Sequence, residues 1–197
     1  MILLDVSALT EILRESAVNT LPYFALFALY RAVVCAKRRG KGEKTNISRE
    51  IAILIFAFYI ICLYHITVFS RGVDFMFDIK GTPRVNLVPL VEIIRMYRYS
   101  TVWMFMYNFL GNVVWFVPAG VLLPVISDKT SKFFAVLGIG LLISLSIETL
   151  QFLLGTGVTD VDDVIINVFG TIAGWVLYKI AEAVICDIKG IKTRAGR

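Results

Sequence analysis

The sequence contains few of the residues that usually build metal centres and disulfide scaffolds. It has one histidine, His65, and three cysteines among 197 residues, with no CxxC pair. A histidine without partners is more often a hydrogen-bonded or interfacial residue than a metal ligand. Each cysteine lies within or at the end of an apolar run, so we expect buried small hydrophobes and predict neither a disulfide nor a cysteine-bound metal. The three are Cys35, Cys62 and Cys186.

The usual catalytic signatures are missing as well. There is no G-x-S-x-G, no H-E-x-x-H and no phosphate-binding glycine loop. Because the sequence has a single histidine, no Ser–His pair is expected at membrane depth, and acyl transfer is disfavoured. These absences argue against a familiar hydrolase and leave open whether the protein is an enzyme of another kind.

The N-terminal segment lacks the basic start of a secretory signal peptide. Residues 1–15 hold three acids and one arginine, so we do not expect such a signal. Ile2, Val6, Leu9 and Leu13 repeat at helical spacing. This pattern predicts a short amphipathic helix over residues 1–15 that lies on the outer membrane surface.

Long apolar runs dominate the rest of the chain. Hydrophobic residues make up 58% of it, and the mean hydropathy is +0.78. Because about 20 apolar residues cross a bilayer, we predict an all-α, multi-pass membrane protein that forms a single domain over residues 1–197. A net charge of +5 then says little about nucleic acid and indicates membrane orientation, and no nucleic-acid partner is predicted. The predicted spans are 17–36, 51–69, 101–126, 133–154 and 164–186.

Basic loops give the orientation of these spans. The 37–50 loop has six basic residues, and the C-terminal tail is basic as well. Because such loops stay inside the cell, we predict the N-terminus outside and the C-terminus inside. Residues 70–100 then lie outside, although they hold five basic and three acidic residues. We expect them to form a loop and an interfacial helix near 88–99.

Three predicted spans each carry a pair of polar residues on one helix face. The spacings are i,i+4 or i,i+3, which bring both members to the same side. From the span boundaries we expect all three pairs just under the outer face, where intramembrane acids and amides are functional-site candidates. Their convergence predicts one outward-opening polar site. The pairs are Asn108 and Asn112, Glu148 and Gln151, and Asp163 and Asn167.

Glu148 is the strongest candidate among these residues, because a carboxyl group in hydrocarbon is costly even when neutral. We expect it to be protonated or to pair with a basic residue of the 70–100 segment, such as Arg84, Arg95 or Arg98. The asparagine pair of the third span has a second interpretation, because buried amides also hold helices together.

An acidic turn precedes the fifth span and contains Asp160, Asp162 and Asp163. Clustered carboxylates suit Mg²⁺ or Ca²⁺, so a divalent cation is one interpretation. The other is a solvated turn that caps the following helix. No other metal or cofactor is predicted.

Small residues and prolines predict how two spans pack. Gly170 and Gly174 form a small-xxx-small face that permits close helix contact, and Gly111 and Gly120 are expected to do the same on the third span. Two prolines in the inner half of the third span predict a kink or a break there. They are Pro118 and Pro124.

Four segments together resemble the VanZ-like family of bacterial membrane proteins. They are NLVP at 86–89, YNFLGNVVWFVPAGVLLP at 107–124, SIETLQ at 146–151 and TDVDDVIINVFGTIAGW at 159–175. They follow the family's order within a core of about 84–176. The family's arginine shortly before the aspartates has no counterpart here, where the chain reads GTGVTD. The pattern falls on Asn86, Pro89, Asn112, Pro118, Gly120, Pro124, Glu148, Gln151, Asp160, Asp163, Asn167, Gly170 and Gly174.

The resemblance implies reduced susceptibility to teicoplanin, a lipid-tailed glycopeptide antibiotic, and a smaller effect on vancomycin. An outward-facing polar site fits binding of a lipid-linked cell-wall precursor, a phospholipid or the lipoglycopeptide, within the lipid bilayer. Three alternatives stay open: an intramembrane enzyme with Glu148 as acid or base and metal-holding aspartates, a small transporter, or a structural subunit. The predicted ligand-binding residues are Asn86, Asn108, Asn112, Glu148, Gln151, Asp160, Asp163 and Asn167.

Overall fold

In the part of the chain that the structure describes, five helices are long and apolar enough to cross a membrane. The computed structural model describes residues 6–69, 85–156, 159–188 and 190. Each predicted span coincides with one of the five helices, so the prediction of an all-α, multi-pass membrane protein is confirmed. The orientation of the helices across the membrane stays a prediction.

The order of elements alternates long helices with short connecting structures. The helices are α1 Val6–Gly40, α2 Ile47–Tyr64, α3 Val91–Tyr99, α4 Val102–Ile126, α5 Phe133–Leu154 and α6 Val161–Ile188. A π-helical segment, His65–Phe69, extends α2, and a 3₁₀ turn, Asp128–Ser131, precedes α5. Two short strands, β1 Val85–Asn86 and β2 Thr159–Asp160, form a two-stranded sheet.

Side-chain caps explain where two of the spanning helices begin. Asn46 accepts a hydrogen bond from the backbone N–H of Arg49 at 3.2 Å, at the start of α2. Thr101 accepts one from the backbone N–H of Met104 at 3.2 Å, at the start of α4. Each cap satisfies an N–H that has no partner inside its helix, which fixes the first turn.

Two helix predictions need correction. Residues 6–15 are the first turns of α1 and not a separate surface helix, because no glycine or proline interrupts the chain before Pro22; residues 1–5 lie outside the described residues. A kink or a break was predicted in the third span; the break is wrong, because α4 continues through Pro118 and Pro124, and the kink stays a prediction. The expected interfacial helix near 88–99 exists as α3, and its location at the membrane surface stays a prediction.

The packing divides the chain into two compact units, each with its own interior. The first comprises Met1–Arg84 and Ile147–Thr159, and the second Val85–Ser146 and Asp160–Arg197. The last two turns of α5 thus belong to the first unit and the rest of that helix to the second. The prediction of a single domain is not tested by this division.

In the first unit, α1 packs against α2 through large side chains. The rings of Phe24 and Phe58 meet edge to face with centroids 5.2 Å apart. Nearer the connecting loop, Arg31 forms an ion pair with Glu50, and both side chains are largely buried. The charge of Arg31, which lies within an apolar run, is therefore neutralised within the helix pair.

In the second unit, α4 and α6 approach until their backbones touch. A Cβ added to Gly120 would lie 2.6 Å from the backbone nitrogen of Trp175 and would overlap the carbonyl oxygen of Thr171. Cβ atoms added to Gly170 and Gly174 would overlap backbone atoms of α4 in the same way. The predicted small-residue face is thus confirmed for these three glycines.

Gly111 does not belong to this face. A Cβ added there would meet nothing within 4 Å among the described residues. The prediction that Gly111 also serves close packing is wrong, because it lies on a side of α4 that faces away from the α6 contact.

Candidate functional site

Asp162 connects the start of α6 to the start of α3. Its carboxylate accepts hydrogen bonds from the backbone N–H groups of Glu92 at 2.9 Å and Ile93 at 3.1 Å, and from that of Leu90. The side chain is almost fully buried. A negative charge at a helix N-terminus is favourable, and three charge-assisted bonds fix the helix rigidly. Asp162 is therefore a cap of α3. The predicted cap of α6 is confirmed at Asp160, the residue before that helix, whose Oδ1 accepts a hydrogen bond from the backbone N–H of Asp162. The turn is not solvated as expected, because Asp160 and Asp162 are both buried.

Asp160 holds the segment that leads into α3. Its Oδ1 accepts hydrogen bonds from Asn86 Nδ2 and from the backbone N–H of Asp162, both at 2.9 Å. Asn86 Oδ1 in turn accepts the backbone N–H of Val88 at 3.1 Å, which shapes the NLVP turn. Burial raises the pKa of the Asp160 carboxyl above its ordinary value, and the charge of Asp162 adds to this effect.

The turn before α3 contains a strained residue. Leu90 has φ of 69°, in the left-handed region that a leucine rarely adopts. The bond from its N–H to Asp162 holds the backbone in that conformation. The strain is thus balanced by the same carboxylate that caps the helix.

A second polar contact joins α4 to α6. Asn112 Nδ2 donates to Asp163 Oδ1 at 2.9 Å, and both residues are half-buried. Asn108, one turn earlier on α4, is exposed and donates to the carbonyl oxygen of Met104 at 3.0 Å. The structure therefore brings Asn112 and Asp163 together and leaves Asn108 accessible beside them.

Asn167 lies deeper, in a buried contact between α5 and α6. Its Nδ2 donates to Ser144 Oγ at 3.0 Å, and its backbone carbonyl accepts from Thr171 Oγ1 at 3.1 Å. The Oδ1 atom of Asn167 is buried and has no hydrogen-bond partner among the described residues. Here the amide joins helices, which is the structural interpretation given above for the asparagines of α4.

Glu148 and Gln151 lie on the part of α5 that belongs to the first unit. Both side chains are 5% exposed. Gln151 Nε2 donates to the carbonyl oxygen of Thr67 at 2.9 Å, in the π-helical turn where the regular helix bonding changes. The backbone carbonyl of Glu148 accepts from Thr159 Oγ1 at 3.3 Å. The convergence of this pair with the other predicted site residues, and an arginine partner for Glu148, stay predictions.

The carboxylates of the three aspartates in the acidic turn contact three different groups. Asp160, Asp162 and Asp163 contact Asn86, the α3 backbone and Asn112 respectively. Within the described residues, no group of three or more His, Cys, Asp or Glu side chains is arranged to hold a metal. A divalent cation here stays a prediction.

A Ser–His contact is the main feature that the sequence reasoning missed. His65 Nδ1 lies 3.2 Å from Ser16 Oγ, within the α1–α2 pair. The expectation that no such pair exists at membrane depth is wrong, because α1 and α2 run side by side and bring these positions together. The one available signal was Ser16 and Thr20 at i,i+4 on α1, a polar stripe within an apolar run.

Comparison with known proteins identifies the family. The VanZ/LLP1 family model matches residues 56–182, which is more than half of the chain and includes the acidic turn, α3 and α4. The chain therefore belongs to the VanZ/LLP1 family, and the expected resemblance is confirmed. No solved structure matches the chain significantly.

One curated relative is also similar. Protein VanZ of Enterococcus faecium is 38% identical over 73 residues, which cover 37% of this chain. The same match covers 45% of the relative's own length, so it spans less than half of that protein.

Proposed function

We propose that this VanZ/LLP1 protein acts in the bacterial cell membrane and lowers susceptibility to teicoplanin by binding an amphipathic or lipid-linked ligand. The proposed site is a polar edge of α4 and α6 formed by Asn108, Asn112 and Asp163. The family supports the link to glycopeptide susceptibility, and the geometry of the second unit supports the location of the site.

The contact between Asn112 and Asp163 carries this proposal. An amide and a carboxylate joined at 2.9 Å on two spanning helices offer both donors and acceptors at membrane depth. Polar groups in hydrocarbon are costly, and pure helix association needs no carboxylate. Because both residues are half-buried and not sealed, a ligand hydroxyl, amide or phosphate can reach them.

The network around Asp162 supports the site by fixing α3. The outward face of this helix exposes Arg95, Tyr97, Arg98 and Tyr99. Arg95 forms one weak pair with Glu92 at 3.5 Å and is otherwise solvent-facing. Arginine and tyrosine side chains at a membrane surface contact phosphate and sugar groups. We therefore assign Asn86, Asp160 and Asp162 to positioning α3.

We favour binding over catalysis because the carboxylates of the acidic turn accept hydrogen bonds from the protein itself. A metal-dependent reaction needs carboxylates that converge on one ion. The two carboxylate oxygens of Asp162 instead accept hydrogen bonds from three backbone N–H groups. A ligand held by Asn112 and Asp163 needs no such convergence.

Susceptibility to teicoplanin and to vancomycin in a sensitive Gram-positive host tests the proposal. The strains carry empty vector, wild type, Asp163→Asn, Asn112→Leu or Glu148→Gln, at matched membrane abundance. Asp187→Asn is the control, because Asp187 is exposed near the end of α6, away from these contacts.

The expected result is a selective loss of teicoplanin susceptibility with wild type and with the control. Asp163→Asn and Asn112→Leu should abolish the effect, and Glu148→Gln tests separately whether Glu148 is needed for it. If wild type changes neither susceptibility, the proposed function is wrong. If wild type protects and Asp163→Asn and Asn112→Leu protect equally well, the site is wrong while the function stands.

A further inference from the structure

A pocket of about 740 Å³ opens in the first unit between α1 and the end of α2. This volume lies within the roughly 300–1,000 Å³ typical of small-molecule sites. Both helices are candidate membrane spans, so the pocket opens at bilayer depth. Its lining residues are Asn19, Thr20, Tyr23, Ile60, Ile61, Tyr64, His65 and Phe69.

The lining changes from polar to apolar along the helix axes. The candidate spans begin at Arg14 and end at Phe69, so Asn19 and His65 lie about 6–8 Å from the span ends at 1.5 Å per residue. Tyr23 and Ile60 lie about 13 Å from the same ends. Asn19 and His65 therefore lie nearer the span ends and Ile60 and Ile61 deeper, as in a site for an amphiphile, while Phe69 stands at the outer edge and Tyr23 beside the two isoleucines.

His65 supplies the rim with an oriented hydrogen-bonding group. Its Nδ1 contacts Ser16 Oγ, and Ser16 is 2% exposed, so the ring is held from behind. The Nε2 atom has no hydrogen-bond partner among the described residues. The π-helical turn begins at His65, and such turns frequently mark functional sites.

We propose that this pocket binds one acyl chain of a bilayer phospholipid, with the ester carbonyl of that chain at the rim beside His65. The apolar depth between Tyr23, Ile60 and Ile61 takes the first methylenes of the chain. His65 in the tautomer that carries the Nε2 proton donates to the ester carbonyl oxygen, while Nδ1 accepts from the Ser16 hydroxyl. The site is separate from the α4–α6 polar edge and does not depend on the proposed function.

The bilayer itself argues for this occupant. A pocket lined mainly by apolar side chains and open to hydrocarbon is not a stable place for water. Acyl chains surround spanning helices, and only those whose ester groups meet a polar rim at the correct depth gain a hydrogen bond. A phospholipid satisfies both parts of the lining at once.

Photo-crosslinking tests the assignment. The full chain is reconstituted in nanodiscs that contain phosphatidylglycerol with a diazirine near the ester end of one acyl chain, and adducts are mapped by mass spectrometry. Ile61→Trp fills the pocket, and Ile55→Trp is the matched control on α2, because Ile55 is exposed and does not line the pocket. His65→Leu keeps the bulk and removes the polar contact, and thermal unfolding checks that every variant is folded.

Adducts should concentrate on Tyr23, Ile60 and Ile61 in wild type. Ile61→Trp should lower their yield about tenfold, the effect of losing about 1.4 kcal/mol of binding, while Ile55→Trp leaves it unchanged. His65→Leu should shift the adducts along the helices and lower their yield about threefold. Adducts spread evenly over α1 and α2, or unchanged in folded Ile61→Trp and His65→Leu, would overturn the assignment.

Discussion

The α4–α6 pair and the α1–α2 pair differ in how closely their two helices pack. In the most apolar stretches of α4 and α6, 28% and 33% of the residues are buried, against 6% and 17% in those of α1 and α2. Glycines let α4 and α6 touch through their backbones, whereas aromatic rings such as Phe24 and Phe58 hold α1 and α2 apart.

The difference shows what membrane helices gain from small residues. Lipid is as apolar as leucine, so helices in a bilayer associate through close packing and polar contacts and not through a hydrophobic driving force. The α4–α6 pair uses close packing over its length. The α1–α2 pair relies on polar contacts near its two ends, Arg31–Glu50 and Ser16–His65, and leaves a pocket near the second of them.

The largest expected effect comes from Gly120→Val, which breaks the close pair. Its Cβ would overlap α6 backbone that cannot move without moving the helix. The cost should exceed the roughly 1–3 kcal/mol of ordinary overpacking, so little folded protein should be extracted. Yield and thermal unfolding in detergent measure this. Gly111→Val on the same helix is the control, and equal behaviour of the two variants would contradict the packing described.

The next effect concerns the connection between α6 and α3. Asp162→Ala removes the acceptor of three backbone N–H groups and should destabilise the second unit by about 3 kcal/mol. Hydrogen exchange at Glu92 and Ile93 should accelerate at the same time. Asp187→Ala, at an exposed site on α6, should change neither quantity. Slow exchange at both amides in Asp162→Ala would show that α3 has another anchor.

A smaller effect is expected from a substitution in the α1–α2 pair. Glu50→Gln removes the charge that faces Arg31, and both side chains are about 15% exposed. Gln keeps one oxygen that can accept from Arg31, but the largely buried guanidinium charge is left without its counter-charge, which should cost about 1.5–3 kcal/mol in unfolding experiments. Arg95→Gln is the comparison, because its exposed pair with Glu92 should contribute less than about 0.5 kcal/mol. Equal losses would mean that the α1–α2 ion pair is no better than a surface pair.

The smallest effect is a change in pH dependence. Because burial raises the pKa of Asp160, the folded state holds the proton more tightly than the unfolded state. The contribution of this group to stability is present below the ordinary aspartate pKa and is lost as pH rises through the raised pKa. Asp160→Asn keeps the Oδ1 acceptor of its two hydrogen bonds and should flatten this part of the curve. Parallel stability–pH curves for both proteins would contradict the shift.

Patterns with a strong local signal were predictable from the sequence. The five spans follow from hydropathy alone, and Gly170 and Gly174 follow from their spacing on one helix face. The pairing of Asn112 with Asp163 was expected as proximity, since both residues were assigned to a similar depth. The spans and the glycine face depend on helix geometry within a single span, which the sequence carries directly, whereas the Asn112–Asp163 contact followed only from the similar depth of two residues on different spans.

Contacts that depend on which helices become neighbours were not predictable. Nothing local indicates that Asp162 accepts backbone groups seventy residues away, or that Ser16 meets His65. Tertiary pairing decides these contacts, and one sequence does not contain it. The role of Gly111 was misjudged for a different reason: at 3.6 residues per turn it lies on the side of α4 opposite Gly120, which helix geometry alone could have shown.

The distance along the chain between Asp162 and the turn that it holds sets an order of events during biosynthesis. Leu90 leaves the ribosome 72 residues before Asp162, which corresponds to about 4–14 s of translation. During that time the N-terminal amides of α3 and the left-handed turn at Leu90 lack the carboxylate that they bind in the folded protein. The capping of α3 therefore waits for the synthesis of α6, and a chain that stalls before α6 carries an amphipathic segment without its N-terminal cap.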